Sequence, residues 1–230
     1  MKHTALLNAP LLKIAFCTAL LISVIAHAAP KDEQNVCFRW AVGAMVGSGA
    51  VRELVAVTKD TALHTGDKLK LYVELQKECF VYLIYHSGQD EISLLFPYNL
   101  EQFTTDYKIL KKYFIPHGDQ WFELDTIVGT EKFYILASTH RLPELELFFT
   151  KNAEGTGDRK AHAQQVLAQI QKIKDRNRML TARPERPVTI GGSVRGKTHD
   201  KILSLIESDH IAVEVSAHNF YSRTIAIEHH

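Results

Sequence analysis

Residues 68–76 alternate without interruption: Leu69, Leu71, Val73 and Leu75 are apolar, with Lys68, Lys70, Tyr72 and Glu74 between them. A period of two puts the apolar set on one face of a β-strand, facing a core, and the polar set on the other. The stretch 79–85 is instead apolar nearly throughout, and rich in aromatic and β-branched residues, which predicts a central strand. Ser87, Gly88, Gln89 and Asp90 are turn residues, after which 91–96 returns as a third strand. Pro97 ends it, because proline has no N–H to give to a ladder. Short strands are also expected at 112–115, 120–124 and 132–138, broken by Pro116-His117-Gly118-Asp119 and by Gly129-Thr130. Strands of this length and spacing predict a sandwich or barrel.

Helix enters late. Pro143 suits a first helical turn, where Glu144 and Glu146 complement the helix dipole. From 159 to about 180, Val166, Leu167, Ile170 and Ile173 recur at helical spacing and predict one amphipathic helix. Pro184 and Pro187 break it. Closing strands are expected within 211–228, the last one placing Tyr221, Arg223, Ile225 and Ile227 on one side. The fold class is therefore mainly β with helical additions: an antiparallel β-sandwich-like domain with one long amphipathic helix late in the chain.

The first residues carry a different pattern. Lys2, His3 and Lys13 precede an apolar run over 14–25, followed by Ala26-His27-Ala28. Charge, apolar core and Ala-x-Ala in that order predict a secretory signal peptide over 1–28, cleaved after Ala28. The run is shorter than the roughly 20 residues that span a bilayer, so no transmembrane span is expected after cleavage. Residues 29–230 then form one exported β-rich domain, periplasmic or extracellular. A net charge of +1 argues against nucleic acid as the partner, since such binders usually carry a basic excess.

Cys37 and Cys79 remain beyond the signal segment. In an oxidising compartment two such cysteines often pair, and free cysteine is equally at home buried in a core. Both readings stay open from sequence, and neither residue has a flanking histidine motif that would make it a nucleophile.

An ordered set of short motifs runs through 64–145: Thr65-Gly66-Asp67-Lys68-Leu69, Val81-Tyr82-Leu83-Ile84, Ser93-Leu94-Leu95-Phe96-Pro97 and Ile115-Pro116. Gly129-Thr130-Glu131, Phe133-Tyr134-Ile135-Leu136-Ala137-Ser138 and Leu142-Pro143 follow. In this order they resemble the bacterial domain of unknown function family 4384. Here Tyr98 intervenes before Asn99, where the family pattern has asparagine directly after Phe-Pro. The resemblance implies an exported or surface-associated β-domain and brings no catalytic residue with it. The matching residues are turn-formers, strand stops and core aromatics, which specify a fold. A functional reading of the same segment has Tyr98, Asn99 and Glu131 lining a ligand groove.

Three further patterns bear on chemistry. Residues 191–198 fit G-x-x-x-x-G-K-[S/T], the phosphate-loop pattern. About 30 residues follow it, too few for the parallel strands and second acidic motif of such a fold, so a glycine-rich turn is the expectation. Twelve histidines include no H-x-x-x-H or H-E-x-x-H spacing, and no metal or other cofactor is expected. No G-x-S-x-G occurs to support a serine hydrolase. Lys172, Lys174, Arg176 and Arg178 form a basic run on the late helix, either a solvated face or a contact for an anionic surface. The functional expectation is a non-enzymatic exported module that binds a protein or a cell-envelope polymer. The alternative is an extracytoplasmic hydrolase with an unrecognised polar site.

Overall fold

The alternating segment forms strand β4 (Lys68–Leu75), at the heart of the first of two sheets. The computed structural model describes residues 35–47, 52–57, 61–151, 158–178, 185–187 and 211–230. The expected signal segment 1–28 and the glycine-rich 191–198 segment lie outside the described residues. In the first sheet β4 lies between β1 (Asn35–Val46) and β7 (Lys112–Ile115). Beyond β1 come β11 (Val213–His218) and β10 (Glu185–Pro187); β2 (Glu53–Ala56) also pairs with β1, and β8 (Phe122–Glu123) with β4. Every pairing in this sheet is antiparallel.

The second sheet runs β3 (Ala62–Leu63), β12 (Phe220–His229), β9 (Gly129–Ser138), β5 (Phe80–His86), β6 (Ile92–Phe96). Here β3 lies parallel to β12 and the other pairs are antiparallel. The two sheets pack face to face. Phe38 and Trp40 of β1 and the four apolar residues of β4 share one buried cluster with Val81, Phe133, Ile135 and Ile225 of the second sheet. This is sandwich packing, in which alternate residues of both sheets make one core.

A helical layer covers the outer face of the second sheet. Tyr82, Leu136 and Phe220 pack there against Leu145 of α2 (Pro143–Lys151) and Val166, Ile170 and Ile173 of α3 (Arg159–Arg176). The Asp158 carboxylate caps α3 by accepting from the N–H groups of Lys160 and Ala161, at 3.0 and 3.3 Å. The helix ends at Arg176, one turn short of the expected limit. A short helix α1 (Gln102–Thr105) lies between β6 and β7.

Several expectations change in three dimensions. The polar face of β4 is not solvated: Lys70, Tyr72 and Glu74 are all buried. The turn after β7 folds back over this face and brings Trp121 with it. Lys70 Nζ donates to the carbonyl oxygens of Gly118 and Gln120, and lies 5.7 Å from the Trp121 ring centre. Burial lowers the Lys70 pKa, partly opposed by Asp119. Glu74 accepts from Tyr72 Oη and from Gln76 Nε2, the latter at 2.6 Å.

β1 was not evident from sequence, yet it is the longest strand of the first sheet and pairs with β2, β4 and β11. β5 is an interior strand of the second sheet, as expected, paired with β6 on one side and on the other with β9, which holds the middle position. Gly129 and Thr130, expected to break a strand, are the first residues of β9, opposite His229 and Glu228.

Candidate functional site

Each sequence-derived candidate can be traced to its place. Tyr98 and Asn99 sit on the turn leaving β6 and organise that turn. Tyr98 donates from its hydroxyl to the Phe114 carbonyl (2.7 Å), tying the exit of β6 to β7, and its N–H donates to Gln102 Oε1 (2.7 Å). Burial of the phenol pushes its pKa up to about 12. Asn99 Oδ1 accepts from the Gln102 N–H at 3.0 Å. Glu131 is buried on the core face of β9 and accepts from Tyr85 Oη at 2.5 Å.

These three do not form a groove. Phe96 pairs with Leu83 at the middle of β5, and the antiparallel register carries Tyr98 on toward the Phe80 end; Glu131 is bonded to Tyr85 near the other end of β5. Tyr98 and Glu131 therefore occupy opposite ends of the second sheet.

The basic run also divides. On α3, Lys172 and Arg176 share one face and Lys174 falls nearly opposite it, while Arg178 lies beyond the helix end. Arg176 is held by Glu144 of α2 at 2.6 Å, which ties α3 to α2. The four cations do not form one contact face.

Cys37 and Cys79 are neighbours as free thiols. Cys37 lies on the outer face of β1, its Sγ 3.7 Å from Ser216 Oγ, whereas Cys79 is buried in the inter-sheet core. Cys79 Sγ is 3.8 Å from the carbonyl oxygen of Cys37, so the backbone of β1 lies between the two sulfurs. Of the two readings left open by the sequence, the free-thiol one describes this structure. Burial pushes the Cys79 thiol up to about 12, which suppresses the thiolate. Denatured, non-reduced protein should label at both Cys37 and Cys79, and native protein at Cys37 before Cys79. Recovery of both residues unlabelled until reduction would show a disulfide instead.

The buried ionisable groups are engaged in holding the fold. Glu146, at the start of α2, accepts from Tyr82 Oη (2.6 Å) and from Arg141 Nε (3.0 Å) and Nη2 (2.5 Å). Tyr82 Oη in turn accepts the Leu142 N–H at 2.9 Å. Asp67 accepts from the N–H groups of His64 (2.9 Å) and Gly47 (3.3 Å), closing the turn in which Gly66 takes φ +89°. That positive φ accounts for glycine in the Thr65-Gly66-Asp67 motif.

Among the described residues, one place open to a ligand is the end of the sandwich around this turn. A cleft of about 790 Å³ is lined there by Arg52, Val55, Thr61, His64, Asp67 and Glu123, among others. Thr65 Oγ1 donates to the Asp125 carbonyl (2.8 Å) and meets His229 Nε2 at 3.2 Å. The loop leading from Asp125 to β9 is fixed by a bond from the Ile127 N–H to Asp125 Oδ1 (2.7 Å), yet it holds Ile127 and Val128 43% and 62% exposed. His64 and His230 stand side by side at this end, with ring centres 6.2 Å apart. Among the described residues no group of three or more ligating side chains is placed to hold a metal ion.

This end can offer apolar contact framed by titratable side chains, which suits surface recognition. Sequence reading passed over Ile127 and Val128. Their signal was two adjacent large apolar residues between Asp125 and Gly129, in a segment with no strand of its own.

Fold and site together define a two-sheet antiparallel β-domain with a helical layer on one sheet and an apolar-tipped loop at one end. Residues 62–141 match the family model described as Domain of unknown function (DUF4384), in agreement with the resemblance carried by the motifs. No curated protein and no solved structure gives a significant match. The matched residues run from β3 to the residue before Leu142 and supply strands to both sheets. β1, β11 and β12, which fill interior positions in the two sheets, come from outside them.

Proposed function

We propose that this protein is an exported, non-enzymatic β-domain that acts by binding, and that its partner is a protein or a cell-envelope polymer. One observation carries this reading: Ile127 and Val128 are held in solvent by a hydrogen-bonded loop beside an open cleft. Loops at the ends of a sandwich are where a rigid scaffold can present contacts without disturbing its core. Large apolar side chains fixed there lose little entropy on binding and gain by leaving water. The engagement of Glu74, Glu131, Glu146 and Lys70 within the fold supports a structural use of those groups.

A photo-crosslinking residue at Val128 tests the reading in intact cells. Discrete adducts are expected there and not at Gln171, which is exposed on α3. Adduct formation should fall when Ile127→Ser is added. Equal labelling at both sites, or none at Val128, would remove this surface as the contact.

A further inference from the structure

At the opposite end of β4 the chain makes a second apolar tip of a different kind. Residues 108–111 form a tight turn closed by the Lys111 N–H to the Lys108 carbonyl at 3.3 Å. Leu110, its third residue, takes φ +61°. Turns with positive φ at this position ordinarily use glycine or asparagine, and a branched side chain is strained there. Leu110 is also 66% exposed, and Ile109 beside it 49%. Leucine at this position is therefore unfavourable twice, in backbone conformation and in hydration. Neither turn chemistry nor core packing accounts for it.

The turn is rigid. The Leu110 N–H donates to the Leu75 carbonyl (2.8 Å), pinning the tip to the end of β4. The Lys108 N–H donates to Tyr113 Oη (2.7 Å), which donates to the Asp106 carbonyl (3.0 Å). Around this fixed tip stand Lys108, Lys111 and Lys112, with Lys77 on the adjoining 76–78 turn. The acids nearby are Glu74, opposite Lys112 in the β4–β7 register, Glu78, and Asp106, which is bound to Lys111 at 2.5 Å.

We propose that the Ile109–Leu110 turn docks the protein on an anionic lipid bilayer. The tip is a tight turn that holds two aliphatic side chains out in water, an arrangement that a fluid interface accepts and that a protein partner could meet only with a matching pocket. The lysines around it suit anionic headgroups, and their aliphatic stems can lie along the interface with the ammonium groups outward. This inference is independent of any contact at the Ile127–Val128 end.

The test is cosedimentation of the protein, in the form in which cells accumulate it, with phosphatidylglycerol–phosphatidylcholine vesicles and with pure phosphatidylcholine vesicles. Binding is expected to the anionic vesicles and to weaken with added salt. Ile109→Ser combined with Leu110→Ser should lower partitioning by about tenfold or more. Lys108→Glu combined with Lys112→Glu should lower it on anionic vesicles alone. Leu147→Ser, at an exposed apolar position on α2, should leave it unchanged. Leu110→Gly separates strain from contact: it should lower partitioning while thermal stability holds or rises. Absence of binding to anionic vesicles would overturn the proposal. So would undiminished binding by the folded double-serine variant, or a protein adduct in cells from a crosslinker at Leu110 without vesicle binding.

Discussion

Raising the pH past 11 should unfold this protein cooperatively, because several tyrosines cannot ionise without leaving their places. Tyr82, Tyr107 and Tyr221 all have pKa values raised above the ordinary 10.0, with burial the first cause in each. Beside Tyr82 and Tyr221, the carboxylates of Glu146 and Glu185 further oppose a phenolate. A folded pKa above the unfolded value means that the native state holds more protons once the pH passes 10. Stability is then fully present below that pH and is lost as the pH rises toward the folded values.

Each such group removes up to about 1.4 kcal/mol per pH unit, so three remove about 4 kcal/mol per unit against a typical total of 5–15. Cys79, raised to about 12 from 9.0, acts with the same sign. Lys70 acts oppositely, since its lowered pKa adds stability as the pH climbs toward 10.5. It is one group against several. Tyrosinate absorbance and far-UV circular dichroism should change together in one transition. Phenols titrating near pH 10 with the dichroism unchanged would contradict this account.

Tyr82→Ala is expected to be the most damaging single substitution among those considered. The ring is fully buried between the second sheet and its helices, packed with Leu136, Leu145, Val166 and Ile170. Truncating a buried aromatic costs about 3–5 kcal/mol, which in a chain of this size lowers Tm by about 6–20 °C. Tyr82→Phe separates packing from hydrogen bonding. It keeps the ring but leaves the Leu142 N–H without its acceptor and Glu146 without the phenol, at a cost of about 1–3 kcal/mol. Thermal and denaturant melts of both variants measure the difference. A loss below about 1 kcal/mol for Tyr82→Ala would mean that α2 and α3 contribute little to stability.

Much of the secondary structure was legible locally. The alternation over 68–76 became β4, the apolar 79–85 stretch became β5, and the spacing of Val166, Ile170 and Ile173 became the buried stripe of α3. Tyr221, Ile225 and Ile227 share the core face of β12 as their alternation implied, with Arg223 held at the margin by Glu185 at 3.3 Å. β1 escaped because its second half is apolar on both faces and includes Gly43, so it shows no period of two. Its partners explain that burial: β1 lies between β11 and β4, and β2 adds to its far end.

The candidate site was much less legible. Tyr98, Asn99 and Glu131 stood close in a list of motifs but lie at opposite ends of a sheet. Lys172 through Arg178 read as one run, but Lys172 and Lys174 fall on different sides of α3 and Arg178 lies beyond its end. Ile109, Leu110, Ile127 and Val128 looked unremarkable among other apolar residues, because exposure is not written in residue type.

By itself the sequence determined the identity of many segments: β4, β5 and β6, the late helix, several turns and the motif set of the matched family. Side-chain period and turn chemistry act over a few residues, so a local pattern suffices for these. Only the tertiary structure decided which strands share a sheet, that both faces of β4 are buried, and which apolar residues remain in water. Those outcomes depend on pairings such as Cys37 with Ser216, made between residues far apart in the chain. Such pairings form when the chain buries the most apolar surface with its backbone groups satisfied, a condition on the whole chain that no short segment carries.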